Sequence, residues 1–181
     1  MKGIVFTKFI EMVEQTWSTD FADQMIESSG VPSGGAYTAV GTYDHHEMVA
    51  LVSTLSEMSG TPVPDLLRAY GRYLLGQFAT LYPGFFENMT SSLDFVASID
   101  AVIHVEVRKL YADAELPKFE VLEHTEKILR VKYRSDRHLG DLAEGLLEAC
   151  IGYFGESGVV TYERVDLDEP GKPICFILRK A

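Results

Sequence analysis

The chain has 181 residues, of which 46% are hydrophobic and 24% are charged, and its formal net charge is −11. This composition is typical of a globular protein with a substantial core, and the acidic balance argues against nucleic-acid binding, which needs basic surfaces. No stretch approaches the roughly 20 apolar residues that cross a bilayer, and Lys8 interrupts the apolar run of a possible signal peptide. A cytoplasmic protein without membrane contact is therefore expected.

The first part of the chain predicts helices, because its apolar residues recur at helical spacing. Two short helices are predicted over residues 3–16 and 19–29, and a glycine-rich loop follows at 31–43. Asp44 and Glu47 have the spacing of a capping box, in which each residue satisfies a backbone N–H at the start of a helix. A third helix is therefore predicted to begin there.

Two more helices are predicted before the pattern changes. Pro64 and Asp65 suit the first turn of a helix that continues to about Leu81. Residues 92–111 are predicted to form the longest helix of the chain, and this helix contains His104.

In the last third of the chain the apolar period shortens from about 3.6 residues to about 2, which is typical of strands. The pattern predicts a hairpin of residues 119–124 and 127–133, a helix over 137–154, and two strands at 158–165 and 173–179. The predicted fold class is therefore α+β, with an N-terminal helical lobe followed by a small antiparallel β-sheet with an inserted helix.

We expect residues 1–181 to form one domain. The helical lobe would cover about residues 1–62, and the remaining helices and the sheet about residues 63–181. Cys150 and Cys175 are the only cysteines and lack the CxxC spacing, so we expect buried thiols rather than a redox pair or a metal site.

His104 is the first candidate functional residue, because an imidazole on an apolar helix can ligate iron, although a core histidine bonded to a carbonyl is the commoner case. Tyr133, Ser135 and Arg137 alternate along a segment predicted to be extended, so their side chains would share one side of the backbone. Two hydroxyls and a guanidinium suit a carboxylate, with Arg137 as the main anchor. An axial nitrogen and a carboxylate clamp together fit haem, whose propionates need neutralising.

The order His104, Pro117 and Tyr133-x-Ser135-x-Arg137 resembles the haem nitric oxide/oxygen-binding domains, H-NOX, which are related to the sensor half of soluble guanylate cyclase. The resemblance covers essentially the whole chain, and it predicts the same order of helices followed by a sheet. Further similar segments are Met1-Lys2-Gly3, Gly71-Arg72 and Tyr82-Pro83.

The resemblance implies a role for each of these residues. His104 would be the proximal ligand of the haem iron, and Tyr133, Ser135 and Arg137 would hold the propionates. The haem would be haem b, because no CxxCH attachment motif is present. Pro117 would press against the haem and distort it from planarity. The residues implied to line the distal side or the haem face are Val5, Phe9, Leu74, Phe78, Leu142 and Leu146.

The function implied by the resemblance is that of a nitric oxide sensor rather than an enzyme. Leu142 stands where oxygen-binding members carry a distal tyrosine, so nitric oxide and carbon monoxide should bind and oxygen should not be held. Tyr70 lies one turn before Leu74 on the predicted helix, so its hydroxyl could also point into this pocket. Binding of nitric oxide would release His104, and the signal would pass in trans to a sensor histidine kinase or an enzyme of cyclic-di-GMP turnover.

Two other functions remain open from the sequence. His104 could belong to a histidine phosphotransfer module, although such a histidine must be exposed and apolar residues surround this one. The Tyr133, Ser135 and Arg137 clamp could instead hold an amphipathic carboxylate ligand without haem.

The other histidines are expected to be poor ligands for iron. His45 and His46 are adjacent, so they should diverge by about 100° on a helix and not share a ligand direction. His124 lies near the predicted hairpin turn, and His138 follows Arg137, so a surface position is expected for both.

Overall fold

The computed structural model describes residues 1–181 and has seven α-helices and one four-stranded antiparallel sheet, which confirms the predicted α+β class. The helices are α1 (Gly3–Thr16), α2 (Thr19–Ser29), α3 (His45–Ser59), α4 (Val63–Leu81), α5 (Ser92–Ser98), α6 (His104–Leu110) and α7 (Gly140–Tyr153). The strands are β1 (Lys118–His124), β2 (Ile128–Arg134), β3 (Val160–Asp166) and β4 (Ile174–Lys180), in the spatial order β1-β2-β4-β3. No helix is long and apolar enough to span a membrane.

The capping box predicted at the start of α3 is only half present. Asp44 accepts a hydrogen bond from the backbone N–H of His46 at 3.0 Å, as a capping residue does. Glu47, however, does not return to the helix end. Its buried carboxylate accepts hydrogen bonds from the N–H of Ser33 at 3.4 Å and the hydroxyl of Tyr37 at 2.8 Å. Glu47 therefore holds the preceding loop against α3, a long-range contact that sequence spacing alone cannot show.

The long helix predicted over residues 92–111 is interrupted just before His104. The α-helix α5 ends at Ser98, a π-helical turn covers Ile99–Ile103, and α6 begins at His104. A π-turn has i→i+5 hydrogen bonds and no clear composition signature, so the apolar period did not reveal it. Such turns occur frequently at functional sites.

The helix predicted from residue 137 begins only at Gly140. The N–H of Arg137 bonds to the Ser135 hydroxyl oxygen at 3.3 Å, and His138 has a left-handed φ of 52°. These residues therefore form a turn between β2 and α7. The strands agree with the prediction to within two residues, and a bulge between Val121 and Glu123 shifts the register of β1.

The buried apolar residues form two clusters that meet at α4 and α7. The first cluster lies mainly among α1 to α4, and the second lies between the sheet, α5 and α7. Leu74 belongs to the first cluster and its neighbour Leu75 to the second, and Leu142 and Ala143 divide in the same way. These two helices therefore join both parts of the core.

Two glycines allow α4 and α7 to approach closely. A Cβ atom at Gly71 would lie 2.4 Å from the carbonyl oxygen of Leu142, and one at Gly145 would lie 2.1 Å from the carbonyl oxygen of Arg68. Both obstacles are backbone atoms, so neither can move aside as a flexible side chain would. The contact between the helices therefore requires glycine at both positions.

Replacing Gly71 with alanine is expected to lower the free energy of unfolding by about 1–3 kcal/mol, the usual cost of forcing a methyl group into a packed core. Gly76 is the matched control, because it lies on the same helix and nothing approaches its Cβ position within 4 Å. Gly76→Ala should stabilise the protein by about 0.5–1 kcal/mol through helix propensity. Urea unfolding gives the free energy of unfolding of each variant relative to the wild type. Equal changes for Gly71→Ala and Gly76→Ala would contradict the packing argument.

Candidate functional site

An apolar cavity of about 300 Å³ lies where the two core clusters meet, and 27 of its 33 lining residues are hydrophobic. α1, α4 and α7 supply part of the wall, and the segment from α5 through β2 to the following turn supplies much of the remainder. The first two residues, the segment after α4 and Phe176 of β4 complete it. The structure brings ten of the eleven predicted site residues into this wall: Val5, Leu74, Phe78, His104, Pro117, Tyr133, Ser135, Arg137, Leu142 and Leu146.

Phe9 is the predicted site residue that does not line the cavity. Only the start of α1, up to Val5, reaches the cavity wall. Phe9 lies one turn further along and is fully buried in the first cluster, with its ring edge-on to Tyr70 at 5.1 Å. The hydroxyl of Tyr70 donates to the carbonyl oxygen of Val5, and Tyr70 is not part of the wall either. Tyr70 therefore offers no hydrogen-bond donor to the cavity.

His104 lines the cavity as a buried, neutral imidazole. His104 is only 8% exposed. Burial lowers the pKa of its imidazole more than the neighbouring Asp100 raises that pKa. Nδ1 of His104 lies 2.6 Å from Oδ1 of Asp100, so the protonated Nδ1 donates a hydrogen bond to the carboxylate. This hydrogen bond fixes the tautomer and leaves Nε2 as the free lone pair. The arrangement is that of a histidine prepared to ligate a metal.

Asp100 is a site residue whose role the sequence did not assign. Its Oδ1 accepts from His104, and its Oδ2 accepts from the backbone N–H of Phe119 at 3.0 Å. One carboxylate therefore links the helical segment that carries His104 to the start of β1. The available signal was the i, i+4 spacing of an acid and a histidine on one helical face, since such residues are neighbours.

The side chains of Tyr133, Ser135 and Arg137 line the same cavity, but they do not alternate along one strand. β2 ends at Arg134, so only Tyr133 belongs to it, and the other two lie in the following turn. Tyr133 is buried, which raises its pKa, and its hydroxyl donates to the carbonyl oxygen of Leu139 at 3.5 Å. The predicted grouping is present, but the turn rather than strand alternation creates it.

Arg137 forms the polar end of the cavity together with Glu115. Its guanidinium donates to the backbone carbonyl of Glu115 at 2.8 Å and to the Glu115 carboxylate at 3.0 Å. The arginine side chain is 14% exposed, whereas that of Glu115 is 88% exposed. A carboxylate can therefore reach the guanidinium from the solvent side. Glu115 carries no motif, and the sequence analysis missed it.

The expectation that His45 and His46 diverge was wrong. Their ring centroids lie 4.1 Å apart, and both Nδ1 atoms turn towards Asp44. Because these residues form the first turn of α3, their side chains bend back to the capping carboxylate instead of following the ideal helical directions. His124, by contrast, lies near the hairpin as expected and contacts Asp94 at 3.0 Å.

Comparison with known families decides the identity of this fold. Residues 2–162 match the profile of the Haem-NO-binding family. The chain belongs to this family. The identification confirms the H-NOX resemblance seen in the sequence, and an H-NOX domain is a haem-binding, gas-sensor fold.

Solved H-NOX structures agree with this assignment over the full length of the chain. The Fe(II) unliganded H-NOX protein from K. algicida is 35% identical, with a TM-score of 0.90, covering 100% of this chain and 97% of that one. The IWP-051-bound H-NOX from Shewanella woodyi, in the Fe(II)CO state, is 38% identical, with a TM-score of 0.84, covering 100% and 95%. The H-NOX protein from S. oneidensis in the Fe(II)NO state is 23% identical, with a TM-score of 0.87, covering 100% and 99%. The search of curated proteins gave no match.

The residues of this H-NOX chain fit a haem group. The cavity wall is largely apolar, as a macrocycle requires, and His104 offers a neutral imidazole nitrogen to iron. Arg137 at the polar end would be available to a propionate, because its guanidinium already holds a carboxylate, that of Glu115. Cys150 also lines the wall, but burial raises its pKa to about 12, so its thiol stays protonated and is a poor ligand.

If Arg137 holds a propionate, Arg137→Ala should speed haem dissociation by at least about tenfold, because that anionic group would lose its cation. Ser135→Ala is the matched control in the same turn, and it should change the rate by less than about threefold, since a single neutral hydrogen bond contributes little. Transfer of haem to an excess of apomyoglobin gives both rates. Equal rates for the two variants would contradict the leading role of Arg137.

Proposed function

We propose that this H-NOX chain is a nitric oxide sensor that carries haem b and signals in trans to a partner protein. The observation that carries the proposal is the position of His104. Its neutral imidazole lines an apolar cavity whose polar end presents Arg137. The bound haem iron would supply the position at which a gas binds, and the chain would supply the axial base, the walls and the response.

His104 is proposed to be the sole axial ligand from the protein. Asp100 accepts a hydrogen bond from Nδ1 of His104, which would leave Nε2 for the iron and raise the basicity of the ring. Tyr133, Ser135 and Arg137 are proposed to hold the propionates. Pro117 lines the wall between α6 and β1, where we propose that it presses on the macrocycle. Val5, Leu74, Phe78, Leu142 and Leu146 are proposed to contact the haem or the gas.

The selectivity for nitric oxide over oxygen is proposed to come from the wall formed by α1, α4 and α7. Val5, Leu74, Leu142 and Leu146 supply this wall and carry no hydrogen-bond donor. Oxygen is retained by donors in the distal pocket, whereas nitric oxide and carbon monoxide need none. Because the hydroxyl of Tyr70 is already bonded to Val5, it does not change this balance.

The segment that carries His104 is only lightly buried, with Ile99 and Ile103 packed half-buried against the second cluster, which suits an element that moves. The π-turn Ile99–Ile103 contains no buried residue, and His104 is the only buried residue of α6. Helices in proteins depend on tertiary burial for most of their stability. We propose that loss of the iron bond frees His104, and that the Asp100 link passes the shift to β1.

A second link connects the end of α6 to the N-terminus. Asp113 accepts hydrogen bonds from the Lys2 ammonium at 3.1 Å and from the Thr42 hydroxyl at 2.7 Å. The Lys2 ammonium also lies 5.1 Å from the ring centre of Tyr111. These contacts, here called the Lys2–Asp113 latch, are proposed to carry movement of α6 to the helical lobe of about residues 1–62.

The same proposal includes three finer points. Residues 1–181 would act as one sensor domain. The location would be cytoplasmic, in keeping with the two unpaired buried thiols Cys150 and Cys175. The partner would be a sensor histidine kinase or an enzyme of cyclic-di-GMP turnover.

Histidine phosphotransfer is less favoured, because His104 is buried inside a cavity and not presented to a partner domain.

The gas-binding test uses the reduced, haem-loaded protein. Nitric oxide should abolish the iron–histidine stretching band in the resonance Raman spectrum, carbon monoxide should bind, and air should give no long-lived oxygen complex. His104→Gly should lose stable haem and regain it when imidazole is supplied. A stable oxygen complex would contradict the selectivity, and a purified protein without a Soret band would favour a haem-free carboxylate binder.

The latch test compares Asp113→Ala with Glu106→Ala, which removes an exposed α6 ion pair to Lys109 that does not reach the N-terminus. Hydrogen exchange is measured at two backbone amides near the latch. The N–H of Gly3 donates to the carbonyl oxygen of Gly41, and the N–H of Tyr43 donates to that of Met1. Asp113→Ala should raise their exchange rates roughly threefold without gas, since an exposed ion pair contributes modestly, and should reduce the further change caused by nitric oxide. A nitric oxide response unchanged from wild type would remove the latch from the mechanism.

A further inference from the structure

Asp44, His45 and His46 bring three potential metal ligands together at the start of α3. Oδ1 of Asp44 lies 2.8 Å from Nδ1 of His46 and 3.5 Å from Nδ1 of His45. One carboxylate oxygen and the two ring nitrogens all lie within 4.8 Å of one another. Ligand atoms around a tetrahedral Zn²⁺ ion, with bonds of about 2.0–2.2 Å, are about 3.3 Å apart. The two separations from Asp44, 2.8 Å and 3.5 Å, lie on either side of this value, so small side-chain rotations would bring the three groups around one ion.

The chemistry of the three groups selects a class of metal ion. Two imidazoles and one carboxylate suit Zn²⁺, Ni²⁺, Cu²⁺ or Fe²⁺, whereas Mg²⁺ and Ca²⁺ prefer oxygen ligands. The His46 side chain is 75% exposed, so an ion can reach the group directly from solvent.

Opposing charges set the strength of binding that is expected. The N-terminus of α3 carries a partial positive charge, and Arg137 and Met1, with its amino group, lie around one polar cavity with His45. The Asp44 carboxylate and the overall net charge of −11 act in the opposite direction. With three ligands and an open remaining position, the site should bind more weakly than a closed four-ligand zinc site.

The position of the group connects it to the haem cavity. Asp44 and His45 line a polar cavity of about 390 Å³. This polar cavity and the apolar cavity share Lys2, Glu115 and Arg137 in their walls. An ion held by Asp44 and the two histidines would therefore lie beside the polar end at which a propionate is expected.

We propose that Asp44, His45 and His46 form a second metal site, which binds one divalent transition-metal ion of the Zn²⁺ class beside the polar end of the haem cavity. This site is separate from the haem iron and does not depend on the proposed nitric oxide response.

The test is a titration of the haem-loaded protein with Zn²⁺ in competition with a chromophoric chelator. One Zn²⁺ per chain is expected, and an excess of Mg²⁺ should not displace it. His45→Ala and His46→Ala should each weaken binding by at least about tenfold, since one of three ligands is lost. Asp44→Asn should also weaken binding while keeping the helix cap, because asparagine caps helices as well as aspartate does.

His124→Ala is the matched control, because it removes a histidine that contacts a single carboxylate, Asp94, with no third ligand. Its Zn²⁺ affinity should equal that of the wild type. Repeating the titration in a His104→Ala background, which should still bind Zn²⁺, separates this site from the haem site even if haem is not retained. The proposal is overturned if no stoichiometric binding occurs, if His45→Ala and His46→Ala bind as wild type, or if His124→Ala causes the same loss.

Discussion

The close contact between α4 and α7 is the constraint on which the rest of the structure depends. Gly71 and Gly145 let the two backbones approach to a distance that any side chain would prevent. On each of these helices, neighbouring residues pack into different core clusters: Leu74 lies in the first cluster and Leu75 in the second. The apolar cavity opens beside the same contact, so its walls belong to both clusters. A change in the cavity therefore acts on the packing between the two parts of the core.

The segment that carries His104 has the opposite physical character. From Ile99 to Leu110 only His104 is buried, while Val102 and Val105 are exposed. Ile99 and Ile103 pack half-buried against the second cluster, and the two hydrogen bonds of Asp100, to His104 and to Phe119, add to this packing. Hydrogen bonds of this kind are individually modest in free energy. A rigid wall on one side and a lightly held segment on the other are what a ligand-driven switch between two states requires.

The sequence predicted most of the elements, because apolar periodicity and helix caps are local signals. It failed where a distant partner decides the outcome. Glu47 has capping-box spacing, but its carboxylate accepts hydrogen bonds from Ser33 and Tyr37. Phe9 has the apolar side chain expected of a cavity residue, but it lies further along α1 than the part that reaches the cavity. The π-turn before His104 shifts side-chain directions without altering composition. Asp100 could have been predicted from its spacing to His104, whereas Glu115 could not, since only the fold places it at Arg137.

Arg137 shows how the polar end of the cavity meets two requirements at once. Its side chain is largely buried, and a buried cation without a partner is strongly destabilising. The Glu115 carboxylate satisfies it from an exposed position, where that carboxylate loses little hydration. A propionate presents the same group to the same planar fork, so it can take over this hydrogen bond without leaving the arginine uncompensated. Under the proposed function, the free energy gained when a propionate binds Arg137 would therefore be the difference between two carboxylate partners, which is smaller than the full value of the ion pair.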